Sequence, residues 1–350
     1  MIKVLVIGFG YMGEIRAKVV ESLEGFALVG ICDPFATSAQ NVRECPHFTD
    51  YREAILALRP DLTFVCTPNN LSPEVCVLAL NSGSHVFCEK PPGRSVEDIE
   101  KIIAAERAND GLKVMFGFNH RHHPAILEAR SIVEGGRLGK ILWIRGVYGK
   151  SGGKGRGFEQ SWRNDPSISG GGILLDQGIH MLDLFRLFCG DFEAVQGLMG
   201  TTHWDVPVED NAMVLLRSTQ GVMAQLHSSA TLWKHTFELE IGMEQGYMVA
   251  HGLLSKTGSY GRETLVVGRR VQDSDPELVP GVPEEDVSYF DQDLSWNLQV
   301  EEMGRCILEN KAVEDSSTND ALQVMQIIET IYRQSGQCLG GLANLQSVAL

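Results

Sequence analysis

The first thirteen residues constrain this chain more than any other stretch. Ile2-Lys3-Val4-Leu5-Val6-Ile7 is a short β-branched apolar run that leads directly into Gly8-Phe9-Gly10-Tyr11-Met12-Gly13. A helical apolar pattern follows at Ile15, Val19, Val20 and Leu23. A second apolar run, 26–31, ends at Cys32-Asp33, so an acid stands about 20 residues past the last glycine. A lone G-x-G-x-x-G says little; a strand before it, a helix after it and an acid closing a second strand give it meaning. Each glycine answers a physical need: a tight turn, close approach of backbone to a pyrophosphate, and close packing of helix on strand. The helix N-terminus then offers free N–H groups and a positive dipole end to that anion. The reading is a dinucleotide-binding βαβ unit, with Gly8, Phe9, Gly10, Tyr11, Met12 and Gly13 at the cofactor. A glycine-rich turn in an ordinary α/β domain is the alternative.

Asp33 bears on which dinucleotide binds. A carboxylate there accepts hydrogen bonds from the adenosine ribose and repels a 2′-phosphate. Residues 34–42 contain no Arg or Lys to hold that phosphate. NAD is favoured over NADP, and Arg43 leaves dual use open.

At 350 residues the chain suits two domains. Its formal charge of −15, from 30 basic and 45 acidic residues, repels nucleic acid. No apolar stretch reaches membrane-spanning length, and no signal peptide precedes the first strand, so the expectation is a cytoplasmic protein. The eight cysteines form no C-x-x-C pair and read as small buried hydrophobes in a reducing compartment.

The pattern predicts strands at 2–7, 26–31, 61–66, 84–88 and 113–117, with helices near 12–24, 50–58, 72–82 and 96–109. Such alternation means crossovers and a parallel, doubly wound sheet. After residue 120 the texture changes. Longer alternating runs at 140–149, 193–201, 211–217, 222–231, 235–242 and 246–251 predict an open, mainly antiparallel sheet. Helices are predicted near 124–135, 173–188, 293–309 and 318–334. The fold class is α/β, with a cofactor domain at 1–120 and an α+β substrate-binding and oligomerisation domain at 121–350. One sheet face is expected to carry helices and the other a partner subunit, making a homodimer or homotetramer. The acidic, Pro-containing segment 272–292 reads as a surface excursion.

Two clusters have the makings of chemistry. Glu89-Lys90-Pro91-Pro92 follows a strand directly, and the carboxyl ends of strands are where ligands bind in a doubly wound sheet. An ammonium there can hydrogen-bond a hydroxyl and stabilise the alkoxide forming on it. In Ser169-Gly170-Gly171-Gly172 through Asp183, Asp176 and His180 lie four apart on one helix, and so on one face. An imidazole accepts a proton near neutral pH, and a carboxylate beside it can orient the ring. A surface lysine and a surface Asp–His pair are the bland alternatives. Asn119-His120-Arg121-His122-His123 lacks metal-ligand spacing; Asn119 and Arg121 are read as lining the crevice. In Gly149–Gly157 the lysine and hydroxyl of a P-loop are misplaced. Its basic residues Lys150, Lys154 and Arg156 suit either a loop bordering the substrate or a plain surface loop.

Together these motifs resemble the glucose–fructose oxidoreductase / inositol dehydrogenase / rhizopine-catabolism (Gfo/Idh/MocA) family. The matching pieces are Gly8-x-Gly10-x-x-Gly13, Thr67-Pro68-Asn69, Glu89-Lys90-Pro91, Gly117-Phe118-Asn119-x-Arg121 and Gly171-Gly172 through Asp176-x-Gly178-x-His180-x-x-Asp183. The resemblance implies that Lys90 meets the substrate hydroxyl and the nicotinamide, and that Glu89 sits near the nicotinamide ribose. It places Thr67, Pro68 and Asn69 along the cofactor cleft. His180 becomes the proton acceptor or donor, and Asp176 a substrate contact that helps orient it. Members often carry His three residues after the Asn of Thr-Pro-Asn, where this chain has Ser72. Residues 156–164 resemble members that act on sugars and nucleotide sugars. There Arg163 would hold an anionic group and Trp162 stack on a sugar face.

The resulting expectation is an NAD-dependent enzyme moving a hydride between nicotinamide and a secondary hydroxyl of a sugar, cyclic polyol or nucleotide sugar. No metal takes part. The alternatives are a non-catalytic NAD-binding sugar sensor, or an enzyme that recycles tightly bound NAD during epimerisation, elimination or glycoside cleavage.

Overall fold

A computed structural model describes residues 1–35, 44–152, 157–271 and 281–337. The strands β1 (Ile2–Ile7), β2 (Phe26–Cys32), β3 (His47–Phe48), β4 (Leu62–Val65), β5 (His85–Cys88) and β6 (Val114–Phe116) pair in parallel. The crossovers carry α1 (Tyr11–Ser22), α2 (Tyr51–Leu58), α3 (Ser72–Asn81) and α4 (Val96–Ala108). The order β3-β2-β1-β4-β5-β6 reverses between β1 and β4, which opens a crevice at the carboxyl ends of the strands. All four residues of β4 are buried, as expected of a strand covered on both faces. Asp50 and Ser95 start α2 and α4 by accepting hydrogen bonds from first-turn amides. Two-residue β3 gives no alternation to read, and the sequence pattern did not predict it.

After α5 (Pro124–Glu134) come β7 (Ile141–Ser151), α6 (Pro166–Ser169), α7 (Ile179–Cys189), β8 (Phe192–Gly200), β9 (Asn211–Ser218) and β10 (Met223–Ser229). The strands β11 (Thr231–Met243), β12 (Gly246–His251), β13 (Glu263–Arg269) and β14 (Glu285–Phe290) follow, then α8 (Ser295–Leu308) and α9 (Thr318–Gln334). The second sheet runs β14-β13-β12-β11-β7-β10-β9-β8, and among the described residues only β7 and β10 pair in parallel. One expectation fails here. Residues 285–290 are an edge strand and not part of a surface excursion, and the preceding β13 was also missed. β14 is the edge strand, where the exposed charges of Glu285 and Asp286 disguise the period-two pattern. β13 lies between β12 and β14, and its buried positions include Glu263 and Gly268 in place of an unbroken apolar alternation. Residues 272–280, like Arg43, Lys154, Arg156 and Cys338, lie outside the described residues.

Helices α7 and α9 cover one face of this sheet. The other leaves Trp143, Leu198, Met213, Leu215 and Met223 exposed, with Leu198 beside Met213 and Met223 beside Trp143 in register. α8 returns to the parallel sheet, burying Val300 and Met303 against Val4, Val6 and Phe64. No described helix is long and apolar enough to cross a membrane. Cys32, Cys45, Cys66, Cys76, Cys88, Cys189 and Cys306 are free thiols.

Candidate active site

Gly8 turns at φ +84°, and a Cβ on it would stand 2.5 Å from the Cys66 carbonyl oxygen. A Cβ on Gly13 would stand 2.0 Å from the carbonyl oxygen of Gly8, so only glycine lets α1 lie this close to β1. Gly10 differs. It is the N-terminal cap of α1, and a Cβ there would face open space. No protein packing requires its smallness, whereas an anion approaching the helix end does. Asp33 closes the same turn: its Oδ2 accepts from Phe9 N at 2.7 Å and its Oδ1 from Phe35 N at 2.8 Å. The turn, the open helix end and the acid therefore fit a dinucleotide.

The crevice is a cavity of about 580 Å³. Of the residues singled out in the sequence, Tyr11, Met12, Thr67, Asn69, Glu89, Lys90, Asn119, Trp162, Arg163, Asp176 and His180 line it. Asn69 Nδ2 donates to Ser169 O at 2.7 Å and ties the two halves across its floor. Ser72 hydrogen-bonds back to the Thr67 and Pro68 carbonyls at 3.2 Å and fixes that turn.

Lys90 extends from the end of β5 and donates to the backbone oxygen of Asp176 at 2.6 Å, with Asp176 Oδ1 at 3.4 Å. Lys150 Nζ lies 3.3 Å from Oδ2 of the same carboxylate and Arg163 Nε 3.7 Å from Oδ1. Burial alone would raise the Asp176 pKa; Lys90, Lys150 and Arg163 outweigh it and hold the carboxyl well below the usual range. Burial pulls the Lys90 ammonium below its ordinary value, and Asp176 offsets only part of that.

Residues 174–178 form a π-helical turn that runs without a break into α7, so the helix expected over 173–188 is present with a widened first turn. His180, at the start of α7, does not pair with Asp176 as the spacing had suggested, because three cations already hold that carboxylate. Its ring stacks on His120 instead, and its buried Nδ1 has no hydrogen-bond partner among the described residues. Burial, then the charge of Lys90 and the proximity of His123, push the His180 pKa well below its ordinary value. The ring is neutral at pH 7 and able to accept a proton.

His120 was passed over in the sequence as one of a histidine string. It lines the cavity, and its Nδ1 meets Asn119 Oδ1 at 3.2 Å, while Asn119 Nδ2 donates to Ser295 Oγ at 3.3 Å. Arg16 was missed too. Fully buried on α1, it binds Glu89 at 2.6 Å and Gln299 at 2.8 Å. A charge on the buried stripe of α1 was its signal.

Arg121 is a correction. It does not line the crevice. Its guanidinium is buried in a two-point pair with Asp183, at 2.6 and 2.8 Å, with Asp315 and Asp320 beyond. Burial opposes its charge, but these three aspartates more than offset that, so Arg121 holds its proton more tightly than usual. Trp162 sits at the rim with the Arg163 guanidinium 4.5 Å from its ring centroid, so one ring face is already covered.

Residues 2–118 match the oxidoreductase family with an NAD-binding Rossmann fold, and residues 126–249 match the GFO/IDH/MocA C-terminal domain. The chain belongs to the Gfo/Idh/MocA oxidoreductase family. It is 32% identical over 164 residues to levoglucosan dehydrogenase of Pseudarthrobacter phenanthrenivorans, a match covering 46% of this chain and 42% of that protein. It is 28% identical over 294 residues to D-glucoside 3-dehydrogenase of Escherichia coli K12, covering 79% and 81%. The first match thus spans less than half of either chain. Among solved structures, levoglucosan dehydrogenase in complex with NADH and levoglucosan superposes with a TM-score of 0.82 at 22% identity, over 95% of this chain and 97% of that one. Aldose-aldose oxidoreductase from Caulobacter crescentus, complexed with glycerol, gives 0.80 at 23%, over 95% and 97%. At these identities the likeness shows the shared fold.

Proposed function

We propose that this family member oxidises a secondary hydroxyl of a sugar or cyclic polyol, or reduces the corresponding ketone, as an NAD-dependent dehydrogenase. The observation that carries the reading is the meeting of a neutral His180 and a charged Lys90 in one cavity at the strand ends. His180 accepts the hydroxyl proton. Lys90 hydrogen-bonds the same oxygen and stabilises the negative charge that grows on it. Asp176 sets the position of Lys90 and offers the substrate an acceptor. Bound NAD supplies the acceptor for the hydride leaving the carbinol carbon. Gly8, Phe9, Gly10, Tyr11, Met12 and Gly13 would hold its pyrophosphate end. Asp33 would take the ribose, and Thr67, Pro68, Asn69, Glu89 and Asn119 would line the nicotinamide end.

Asp33 favours NAD over NADP by repelling a 2′-phosphate. The exposed apolar rows of the second sheet favour a homodimer or homotetramer through that face. Seven free thiols among the described residues suit a reducing, cytoplasmic setting. Residues 1–120 act as the cofactor domain and 121–350 as the substrate and assembly domain, with α8 returning to brace the first.

The test is absorbance at the NADH band while protein and NAD meet a panel of sugars, inositols and nucleotide sugars. A sustained rise on one class supports the reading. No rise on any, with NAD binding established by calorimetry, contradicts it.

A further inference from the structure

The crevice forks. A second cavity of about 460 Å³ shares Lys90, Arg163 and Asp176 with the first and extends past Lys150 and Phe158. At the fork one carboxylate, Asp176, faces three cations: Lys90 at 3.4 Å, Lys150 at 3.3 Å and Arg163 at 3.7 Å. A single carboxylate needs a single counter-ion, and Lys90 also binds the Asp176 backbone oxygen at 2.6 Å. Two positive charges are therefore in excess. They are also the accessible ones: the Lys90 side chain is 18% exposed, Lys150 29% and Arg163 47%.

The surroundings do not neutralise them. Tyr148, Gln177 and Phe158 are uncharged, and His235, beside Ser151, is kept neutral first by burial and then by Lys150. Glu209 is the other acid of the second cavity. It is tied up by the Gly172 and Leu174 amides at 2.9 Å and the Tyr332 hydroxyl at 2.6 Å, and burial raises its pKa. Like charges crowded around one carboxylate repel one another, and an incoming anion relieves that repulsion. The Arg163 guanidinium presents the planar fork that matches a carboxylate or phosphate.

We propose that the substrate carries a carboxylate or phosphate group seated between Lys150 and Arg163, while its reacting hydroxyl lies at His180 and Lys90. This rests on the sugar-dehydrogenase reading above and narrows it to anionic sugars. The neutral substituents of a plain sugar would leave Lys150 and Arg163 sharing Asp176 with Lys90 and without a counter-ion of their own.

Calorimetry on the NADH-loaded enzyme tests this with D-glucuronate and D-glucose 6-phosphate against uncharged D-glucose and myo-inositol, at low and high salt. At least one anionic sugar should bind tenfold or more tighter than the uncharged pair, with the advantage shrinking as salt rises. Which anion wins separates a carboxylate site from a phosphate site. Lys150→Gln and Arg163→Gln should each cut the anionic-to-neutral affinity ratio at least fivefold, and the charge-keeping Lys150→Arg and Arg163→Lys should preserve more of it. The proposal is overturned if uncharged sugars bind as tightly as their anionic counterparts, if neither set binds, or if the preference survives both Gln variants. NADH formation from uncharged sugars alongside such a result would leave the dehydrogenase reading standing. Absence of turnover on every sugar would remove that reading separately.

Discussion

His120 and His180 lie ring on ring, their centroids 3.8 Å apart and their planes within 17°. The buried Nδ1 of His180 has no hydrogen-bond partner among the described residues, so packing, and not a carboxylate, sets the attitude of this imidazole. A proton acceptor works only if its lone pair is aimed, and here a neighbouring ring aims it. His120→Ala should lower kcat by about tenfold or more, a fraction of the roughly 10²–10⁴-fold that a positioned general base contributes. His120→Phe, which can stack but not titrate, should recover part of the loss. Equal damage in both variants would mean that a His120 nitrogen, and not its ring, is what matters.

The direction of the His180 shift fixes the pH profile. A base whose pKa lies well below 6.5 is already deprotonated at pH 7. Turnover with saturating NAD should therefore stay flat from pH 8 down through 6.5 and fall only in stronger acid. On the alkaline side it should decline before 10.5, because burial lowers Lys90 below that ordinary value. A half-maximal acid point at or above 6.5 would contradict the assignment of His180.

Stability should follow acid in the same sense. Burial lowers the pKa of His120, His180 and His122, the last to about 4. The folded state then binds fewer protons than the unfolded chain, whose histidines titrate near about 6.5. Stability is fully present above that pH and is lost as pH falls toward 4, by up to about 1.4 kcal/mol per pH unit for each histidine. Denaturant midpoints measured across pH 7 to 4 would show the slope.

Arg121 is assigned to structure, not to substrate. Arg121→Ala leaves Asp183 buried and unpaired, a change that costs about 3–5 kcal/mol. Urea unfolding should show the midpoint falling accordingly. An unchanged midpoint with a raised KM for substrate would return Arg121 to the binding site.

Most of the parallel sheet was legible because short apolar strands and amphipathic helices announce themselves by period. The glycine turn, Asp33, Lys90, Asp176 and His180 were legible as candidates because each belongs to a short local motif at a strand end or on one helix. What escaped was set by tertiary contact. The His120–His180 stack joins residues 60 apart, and the Arg16–Glu89 pair residues 73 apart, with no local trace. Arg121 misled because its residue type suits an anion site, while its actual partner, Asp183, lay in the other motif.

Asp33 carries the cofactor claim. Asp33→Ala removes the repulsion of a 2′-phosphate and should lower the NAD-to-NADP ratio of kcat/KM by about tenfold or more, on the order of one charge-assisted hydrogen bond. An unchanged ratio would mean that another part of the cleft sets the preference.

The central claim is that His180 moves the hydroxyl proton with Lys90 on the same oxygen. The most direct measurement is single-turnover NADH formation at pH 7 by the wild-type enzyme, Lys90→Ala and His180→Ala, each loaded with NAD and a turned-over sugar. The account predicts a fall of about 10²-fold or more in the rate for each variant, with NAD still bound. Wild-type rates in both would contradict it.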